Sequence, residues 1–251
     1  MSASLATALL TKLMLSNHLD GADVQAIQRL PIRTQDVKAR HVIVADGDRS
    51  TECSLLVEGF AFRSKTTPDG ERQTVSMHIP GEIPDLQSLH LNVMDHDLIA
   101  LTPCVIGFIS HGSLKALNIE RPNIAAALWR TTLIDAAILR EWIVNVGRRS
   151  ATARTAHLLL ALHHRLRAIG MAQDGEFGLP VTQTDLADCL GLSAVHVNRV
   201  LQLLRAEGLL TVSRLPSGRR RARSEFHLLQ QEKLEELAGF DPAYLHQQPE
   251  S

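Results

Sequence analysis

Residues 183–204 read QTDLADCLGLSAVHVNRVLQLL, and this stretch decides the fold of the second half of the chain. Its apolar residues recur at helical spacing on both sides of a glycine, which predicts two short amphipathic helices, 183–190 and 193–204. Gly191 permits the positive φ that a tight turn between them needs. The small Ala187 lets the second helix approach the first closely. The pattern is typical of a helix-turn-helix; the alternative is an ordinary helical corner that binds nothing.

Capping residues mark the start of both predicted helices. Thr182, with Asp185 three residues later, has the character of a capping box in which Asp replaces the usual Glu or Gln. Ser193 is suited to cap the second helix. Spacing of i, i+3, i+4 and i+7 then places the inner face of the second helix at Val197, Val200, Leu201 and Leu204.

The other side of the second helix carries residues that can read DNA bases. Arg199 can donate two hydrogen bonds to guanine, and Asn198 can bond adenine through both ends of its amide. Val195 can contact the methyl group of thymine, and Ala194 lies beside it at the start of the helix. We predict base reading by these four residues, against the alternative that each is a solvated surface side chain.

Polar residues near the two helix starts are suited to bind DNA phosphates, namely Thr182, Gln183, Ser193 and His196. The stretch GLLTVSRLPSGRRRARSEFHLL follows, and it predicts two strands joined by a turn at Ser217-Gly218. Such a wing would place basic side chains on the phosphate backbone: Arg214, Arg219, Arg220 and Arg221. From Arg148 to Arg223 there are twelve arginines and five acidic residues. This local charge favours nucleic acid as a partner.

Composition excludes several other classes of protein. The 251 residues carry 26 basic and 27 acidic side chains, so the net charge of −1 indicates no partner. Three isolated cysteines predict neither a disulfide framework nor a zinc site. No apolar run reaches the roughly 18 residues that span a bilayer, and we expect a cytoplasmic protein without membrane contact. No P-loop, GxSxG or HExxH motif is present, so we do not expect an enzyme.

The rest of the chain predicts an α+β protein. Residues 1–112 combine early helices with short strands and glycine turns, which indicates an antiparallel β-roll or jelly roll. Residues 113–147 form a long helix, residues 148–230 the winged helix-turn-helix, and residues 231–251 a C-terminal helix and tail. We expect MAQDGEFG, residues 171–178, to be a polar connection. Twelve histidines are present, and we expect structural or surface roles for them.

The long helix carries a stripe at 4-3-4-3-4 spacing, which is the period of a coiled coil. Its members are Ala127, Thr131, Ile134, Ile138, Glu141 and Asn145. The stripe predicts a homodimer seam, because a two-fold partner also suits DNA binding. A helix that faces its own core is the alternative.

In these features the chain resembles the Crp–Fnr transcription regulators. The stretch LLVEGFAFRSKTTPDGERQTVSMHIPGEIPDL resembles the β-roll of that family, and SAVHVNR resembles the recognition helix of some of its members. The resemblance covers most of the chain. It implies a cyclic-nucleotide-binding-like sensor domain, a homodimer joined by the long helix, a palindromic site in double-stranded DNA, RNA polymerase as a partner, and a small-molecule effector sensed in the β-roll.

Three departures from the family pattern qualify this resemblance. Asp85, in the stretch IPGEIPDL, stands near the position of the glutamate in the family's phosphate-binding turn. His96 and Asp97, in the stretch MDHDLIAL, stand near the position of the family's Arg-Ser pair. We therefore expect the effector pocket of Glu82, Asp85, His96 and Asp97 to disfavour cyclic AMP. No cysteine precedes Cys53, so no four-cysteine iron–sulfur cluster is expected, and we predict no cofactor. Val195 replaces a family glutamate, which predicts a different half-site.

A second function remains open from the sequence. The chain could be a small-molecule-binding module whose winged helix mediates protein contacts and does not bind DNA. The arginines of the wing argue against this alternative, because basic residues beside a recognition helix are suited to grip phosphates. DNA binding that is absent, or that does not depend on salt, would favour it.

Overall fold

A computed structural model of the chain describes residues 2–91, 93–214 and 224–247. It divides into two compact units. The first contains the chain up to Lys65 together with Met77–Ala136, and the second contains Thr66–Ser76 and Ala137–His246. Helices and antiparallel strands are both present, which confirms the α+β class.

The first unit is built on an antiparallel β-roll. Its helices are α1 (Ser2–Met14), α2 (Gly21–Gln28), α3 (His111–Glu120) and the first half of α4 (Pro122–Arg148), with a 3₁₀ turn at Leu86–Leu89. Its strands are β1 (Arg33–Val37), β2 (Val42–Val44), β3 (Glu52–Glu58), β4 (Ala61–Thr66), β6 (Asp97–Ala100) and β7 (Cys104–Ser110), together with the last two residues of β5 (Arg72–His78), whose first five residues belong to the second unit. One sheet has the order β1-β7-β3 and the other β2-β6-β4-β5.

Two apolar clusters hold this unit together. Side chains from both sheets, among them Leu56 of β3 and Leu98 of β6, form a single buried cluster, as expected for a roll. A second cluster joins the helices to the outer side of β3, and it includes Ile27, Leu114 and Ile124. The predicted β-roll is therefore confirmed, with its helices packed on one sheet.

Gly81 allows α1 to lie directly against the Pro80-Gly81 turn. Its φ is +91°, and a Cβ atom there would lie 2.4 Å from the carbonyl oxygen of Ala8. The close approach sets Lys12 of α1 2.9 Å from Glu82. A side chain at position 81 would therefore strain the backbone and also push α1 away.

We expect Gly81→Ala to lower the free energy of unfolding by several kcal/mol, because backbone strain of about 1–2 kcal/mol adds to overpacking of about 1–3 kcal/mol. Gly70→Ala is a matched control, since Gly70 has φ +90° but a Cβ atom added to it would meet nothing within 4 Å. The control should show the backbone cost alone in urea unfolding. Equal losses in the two variants would contradict the close packing of α1.

The second unit surrounds one helix, α5 (Ala151–Ala168). Its other helices are the second half of α4, α6 (Gln183–Leu190), α7 (Ala194–Ala206) and α8 (Gln231–Ala238), with a 3₁₀ turn at Pro242–Leu245. Its strands are β8 (Ala172–Gln173), β9 (Glu176–Leu179), β10 (Leu210–Arg214) and β11 (Ser224–Leu228), in the order β10-β11-β9-β8. Elements α6, α7, α8, β8 and β9 all contact α5.

The polar connection predicted for residues 171–178 is wrong, because this stretch forms the hairpin β8–β9. Asp174 and Gly175 both have positive φ, at 49° and 82°, which is the backbone of a two-residue hairpin turn. Phe177 is buried and lies opposite Phe226 of β11. The wing is therefore part of a four-stranded sheet.

The dimer seam predicted on α4 stays a prediction, and its two end residues pack within the chain. Ala127 belongs to the apolar core of the first unit. Asn145 is buried and donates a hydrogen bond to the carbonyl of Arg154. A different stripe is exposed on α4, with Trp129 at 65%, Leu133 at 51% and Ile143 at 64% exposure. Among the described residues, no helix is long and apolar enough to cross a membrane.

Two histidines of α5 are buried as neutral rings. His163 is 1% exposed, its ring lies 5.5 Å from Phe177, and neither ring nitrogen has a hydrogen-bond partner among the described residues. Burial lowers the pKa of His163 to about 4. Burial, with Arg149 nearby, also lowers the pKa of His157 to about 4. Both rings are thus uncharged at neutral pH.

We expect the second unit to lose stability below about pH 6.5. Between pH 6.5 and 4 the unfolded chain binds a proton at each histidine that the folded chain does not, so each lowers the free energy of unfolding by on the order of 2 kcal/mol at pH 5. In His163→Leu, the decrease in the free energy of unfolding between pH 7 and pH 5 should be smaller by the contribution of this one histidine. His227→Leu, at a half-exposed position, should leave this decrease unchanged. An unchanged pH dependence in His163→Leu would contradict the buried neutral ring.

Candidate nucleic-acid interface

The first helix of the predicted pair is fixed at both ends. Thr182 is the N-cap of α6 and forms a full capping box with Asp185, whose carboxylate accepts from the Thr182 N–H at 2.9 Å. Gly191 ends the helix in the left-handed conformation, with φ +60°. Both features were predicted from the sequence and are confirmed. They leave the first N–H groups of α6 oriented outward at one end.

The second helix is held by its apolar face. Ser193 caps α7 and accepts a hydrogen bond from the N–H of His196 at 3.2 Å. The predicted inner face is confirmed, because its four members are buried: Val197, Val200, Leu201 and Leu204. The opposite side presents Val195, Arg199 and Gln202, which follow each other at i, i+4 and i+7 and are exposed. These three therefore form one outward stripe.

Asn198 and Gln183 form one polar contact between the two helices. The side-chain amide of Gln183 donates to the Asn198 oxygen at 3.0 Å. The sequence assigned Asn198 to bases and Gln183 to phosphates, and the structure brings the two together. Asn198 is half-buried, as is Ala194 at the start of α7. The hydrogen bond orients the Asn198 amide and leaves its NH₂ group available to an acceptor.

The predicted wing is present in part within the described residues. Strands β10 and β11 pair antiparallel, with Leu210 opposite Leu228 and Arg214 opposite Ser224. Arg214 is the last residue of β10. The other predicted phosphate contacts of the wing, Arg219, Arg220 and Arg221, lie outside the described residues.

Residues distant in sequence hold the far end of α6, and the sequence reasoning missed them. Arg72 pairs with the Asp188 carboxylate, and its Nε lies 2.9 Å from that group. The amide of Gln73 donates to the Asp188 carbonyl at 2.8 Å. Arg154 of α5 donates to the Leu190 carbonyl at 2.6 Å. Gln73 and Arg154 thus satisfy carbonyls at the end of α6. No local sequence signal pairs Arg72 or Gln73 with Asp188, which lies more than 100 positions away.

The predicted effector residues lie in a polar part of the first unit. Glu82 contacts both Lys12 and His78, the latter at 2.8 Å. Asp85 is fully buried and accepts from the Ser54 N–H at 2.7 Å. Burial raises the pKa of Asp85, and the hydrogen bonds from Ser54 offset this only in part. Burial thus disfavours the charged form of this carboxyl group.

The other two predicted effector residues face different surroundings. His96 is buried and contacts Asp95 at 2.7 Å. Burial and the charge of Arg63 lower the pKa of His96. Asp97 instead accepts from the N–H of Asp46 at 2.9 Å, in an exposed loop contact. Asp97 thus accepts from the backbone of Asp46, whereas Asp85 accepts from that of Ser54.

Arg63 is the central cation of this region, and the sequence reasoning missed it. Its Nε donates to the carbonyl of Pro84 at 2.7 Å, and its guanidinium pairs with Asp135 of α4. Its charge acts on His78, Asp85 and His96. The sequence did carry a signal for Arg63, because an arginine that follows apolar residues on a predicted strand needs a partner for its charge.

The described residues offer no metal site. No three His, Cys, Asp or Glu side chains among them come together as a metal-binding group. The three cysteines form no disulfide and are buried. Burial raises the pKa of both Cys53 and Cys189 to about 12. These two thiols are therefore protonated at neutral pH.

Comparison with known proteins gives the same two-part arrangement. A family described as the Crp-like helix-turn-helix domain matches residues 153–237, and the cyclic nucleotide-binding domain matches residues 34–119. The transcriptional activator protein FnrL of Cereibacter sphaeroides is 25% identical over 181 residues, or 70% of this chain and 71% of FnrL. The nitrogen fixation regulation protein FixK of Bradyrhizobium diazoefficiens is 28% identical over 195 residues, or 77% and 80%.

A solved structure supports the fold independently. FixK2 from Bradyrhizobium japonicum superposes with a TM-score of 0.73 at 22% identity, over 84% of this chain and all of that chain. The fold thus consists of a cyclic-nucleotide-binding-like β-roll, a long helix and a winged helix-turn-helix. The chain therefore combines a cyclic nucleotide-binding domain with a Crp-like helix-turn-helix domain, as in the Crp–Fnr transcription regulators that it resembles.

Proposed function

We propose that the chain binds double-stranded DNA sequence-specifically as a homodimer on a palindromic site, with α7 in the major groove. The observation that carries this proposal is the outward stripe of α7, where Arg199 stands between Val195 and Gln202 opposite a fully buried face. A helix of this kind fits the major groove, and a bidentate arginine contact discriminates guanine. Asn198, held by Gln183, and Ala194 complete the base-reading surface.

The phosphate contacts of this proposal follow from the helix ends. The capped N-termini of α6 and α7 present N–H groups and the side chains of Thr182, Gln183, Ser193 and His196. Helix N-termini attract phosphate through these N–H groups and the helix dipole. The arginines of the wing, Arg214 and Arg219 to Arg221, are proposed to add charge along the backbone. The transcriptional activator named among the relatives supports RNA polymerase as a further partner.

The exposed stripe of α4 supports the homodimer. Trp129, Leu133 and Ile143 follow the 3-4 spacing of a heptad together with Ala136 and Arg140, and they are its large exposed apolar members. An exposed apolar stripe on a long helix is the usual mark of a helix–helix interface. A symmetric pair of α4 helices would place two α7 helices on two half-sites.

The chemistry of the β-roll supports an effector other than cyclic AMP, and no iron–sulfur cluster or other cofactor. Arg63 is already paired with Asp135 and bonded to Pro84. A cyclic nucleotide phosphate would have to displace that carboxylate. Asp85 and Glu82 stand nearby and add no positive charge to attract a phosphate. We propose that any small-molecule effector differs from a cyclic nucleotide.

Arg199 should decide one base of the half-site. Selection of bound sequences from random duplex DNA, with and without cyclic AMP, should yield one palindrome for the wild type in both conditions. Arg199→Ala should relax specificity at one position in each half, because a bidentate arginine contributes about 1–3 kcal/mol of discrimination. Arg205→Ala removes an exposed arginine at the other end of α7, and it should keep the full palindrome.

Other outcomes of this selection count against the proposal. If no motif emerges at modest salt, or if binding does not weaken with salt, the winged helix mediates protein contacts instead. A motif that appears only with cyclic AMP would contradict the proposed loss of that effector. A palindrome left intact by Arg199→Ala would remove this arginine from the base-reading surface.

Leu133→Asp should dissociate the homodimer, because two carboxylates would face each other in an apolar seam. Sedimentation velocity of the wild type should show a dimer, and the variant a folded monomer with weaker DNA binding. Ile119→Asp is the control, because Ile119 is 83% exposed on α3 and lies off the stripe. A dimeric Leu133→Asp protein would place the seam elsewhere.

A further inference from the structure

The junction between α4 and α5 is a single bend in the chain, and Arg149 lies at its centre. Helix α4 ends at Arg148 and α5 begins after its cap, Ser150. The direction in which α5 leaves α4 is therefore set by two residues and by whatever holds them. All of the contacts that follow lie within the second unit.

Arg149 is bonded to elements on both sides of the bend. Its guanidinium pairs with Glu141, two turns back in α4, at 2.5 Å. Its Nε donates to the carbonyl of Ala238 at 2.9 Å, and Nη2 reaches the carbonyl of Gly239 at 3.3 Å. These carbonyls end α8, where a cation is favoured by the helix dipole. One side chain thus connects α4 to the end of α8.

The residues after α8 also contact α5. The ring of His157 lies 5.1 Å from Phe240, edge to face, and stacks on Tyr244 at 6.0 Å. His164, two turns further along α5, lies 5.2 Å from Phe240. Aromatic contacts of this kind contribute beyond the area they bury. The segment Ala238–Leu245, which we call the C-terminal clamp, therefore bridges both helices of the junction.

The junction is bonded in turn to the helix-turn-helix. Arg154 of α5 donates to the carbonyl of Arg149 at 3.2 Å and to that of Leu190, at the end of α6, at 2.6 Å. A change in the bend would therefore be passed to α6 and α7. The matched helix-turn-helix family ends at residue 237, so the clamp residues Gly239, Phe240 and Tyr244 lie beyond it.

We propose that the C-terminal clamp, acting through Arg149 and His157, fixes the direction in which α5 leaves α4 and so sets the spacing between half-sites that the dimer accepts. This inference rests on the proposed function. The clamp residues are positioning residues, since none of them belongs to the outward stripe of α7. Their loss should therefore change which spacing is bound and leave the sequence of the half-site unchanged.

The test uses the full chain and operators that contain the selected half-sites at the selected spacing and at spacings shifted by about one or two base pairs. Arg149→Gln and Tyr244→Ala should bind the wild-type spacing about ten- to a hundredfold more weakly, because two sites bind together only when the geometry allows it. The shifted spacings and a single half-site should change far less. Arg148→Gln and Tyr244→Phe are matched controls and should keep the wild-type profile.

Each result bears on the clamp. If the variants lose affinity equally on all spacings and on the single half-site, the clamp has a merely structural role and the proposal is overturned. The proposal is also overturned if both variants keep the wild-type spacing profile. If Arg149→Gln does not fold by circular dichroism, Tyr244→Ala and Arg149→Lys decide in its place. A wild type that binds no duplex overturns the proposed function and the clamp with it. A wild-type palindrome whose spacing profile the variants share overturns the clamp alone.

Discussion

The burial of α5 on nearly all sides is the constraint on which the second unit depends. Three helices and two strands pack on it: α6, α7, α8, β8 and β9. Its buried polar side chains must therefore be uncharged or form hydrogen bonds. His157 and His163 meet this condition as neutral rings, with pKa values of about 4. Arg154 meets it by donating to two carbonyls. The same contacts orient α6 and α7, so the core and the candidate interface share their supports.

In the first unit the comparable constraint is a half-buried cation. Arg63 stands among buried neighbours, and its partners come from the Pro84 carbonyl and from Asp135 on α4. Removing Asp135 would leave the Arg63 charge uncompensated, which is more costly than the pair itself. The internal carboxylate satisfies the guanidinium without any diffusible anion.

Local signals were sufficient for the elements and for most of the candidate interface. Caps at Thr182 and Ser193, the glycine at 191 and the apolar period of α7 act within a few residues, so the sequence predicts them directly. They place Arg199 on the outside of α7. The hairpin at Asp174-Gly175 carried an equally local signal, and the polar composition of that stretch concealed it. The stripe predicted on α4 is buried at both ends, and period alone does not tell which face of a helix the chain itself covers.

What the sequence by itself determined is the helix-turn-helix, the β-roll, the long helix and the residues that face outward on α7, because these depend on propensity, caps and periodicity. Only the tertiary structure decided which charges meet. The pairs Arg63–Asp135 and Arg72–Asp188, and the bond from Arg149 to the Ala238 carbonyl of α8, join residues separated by 72 to 116 positions. The physical reason is that a charge requires a partner but does not specify it; the fold brings the partner within reach.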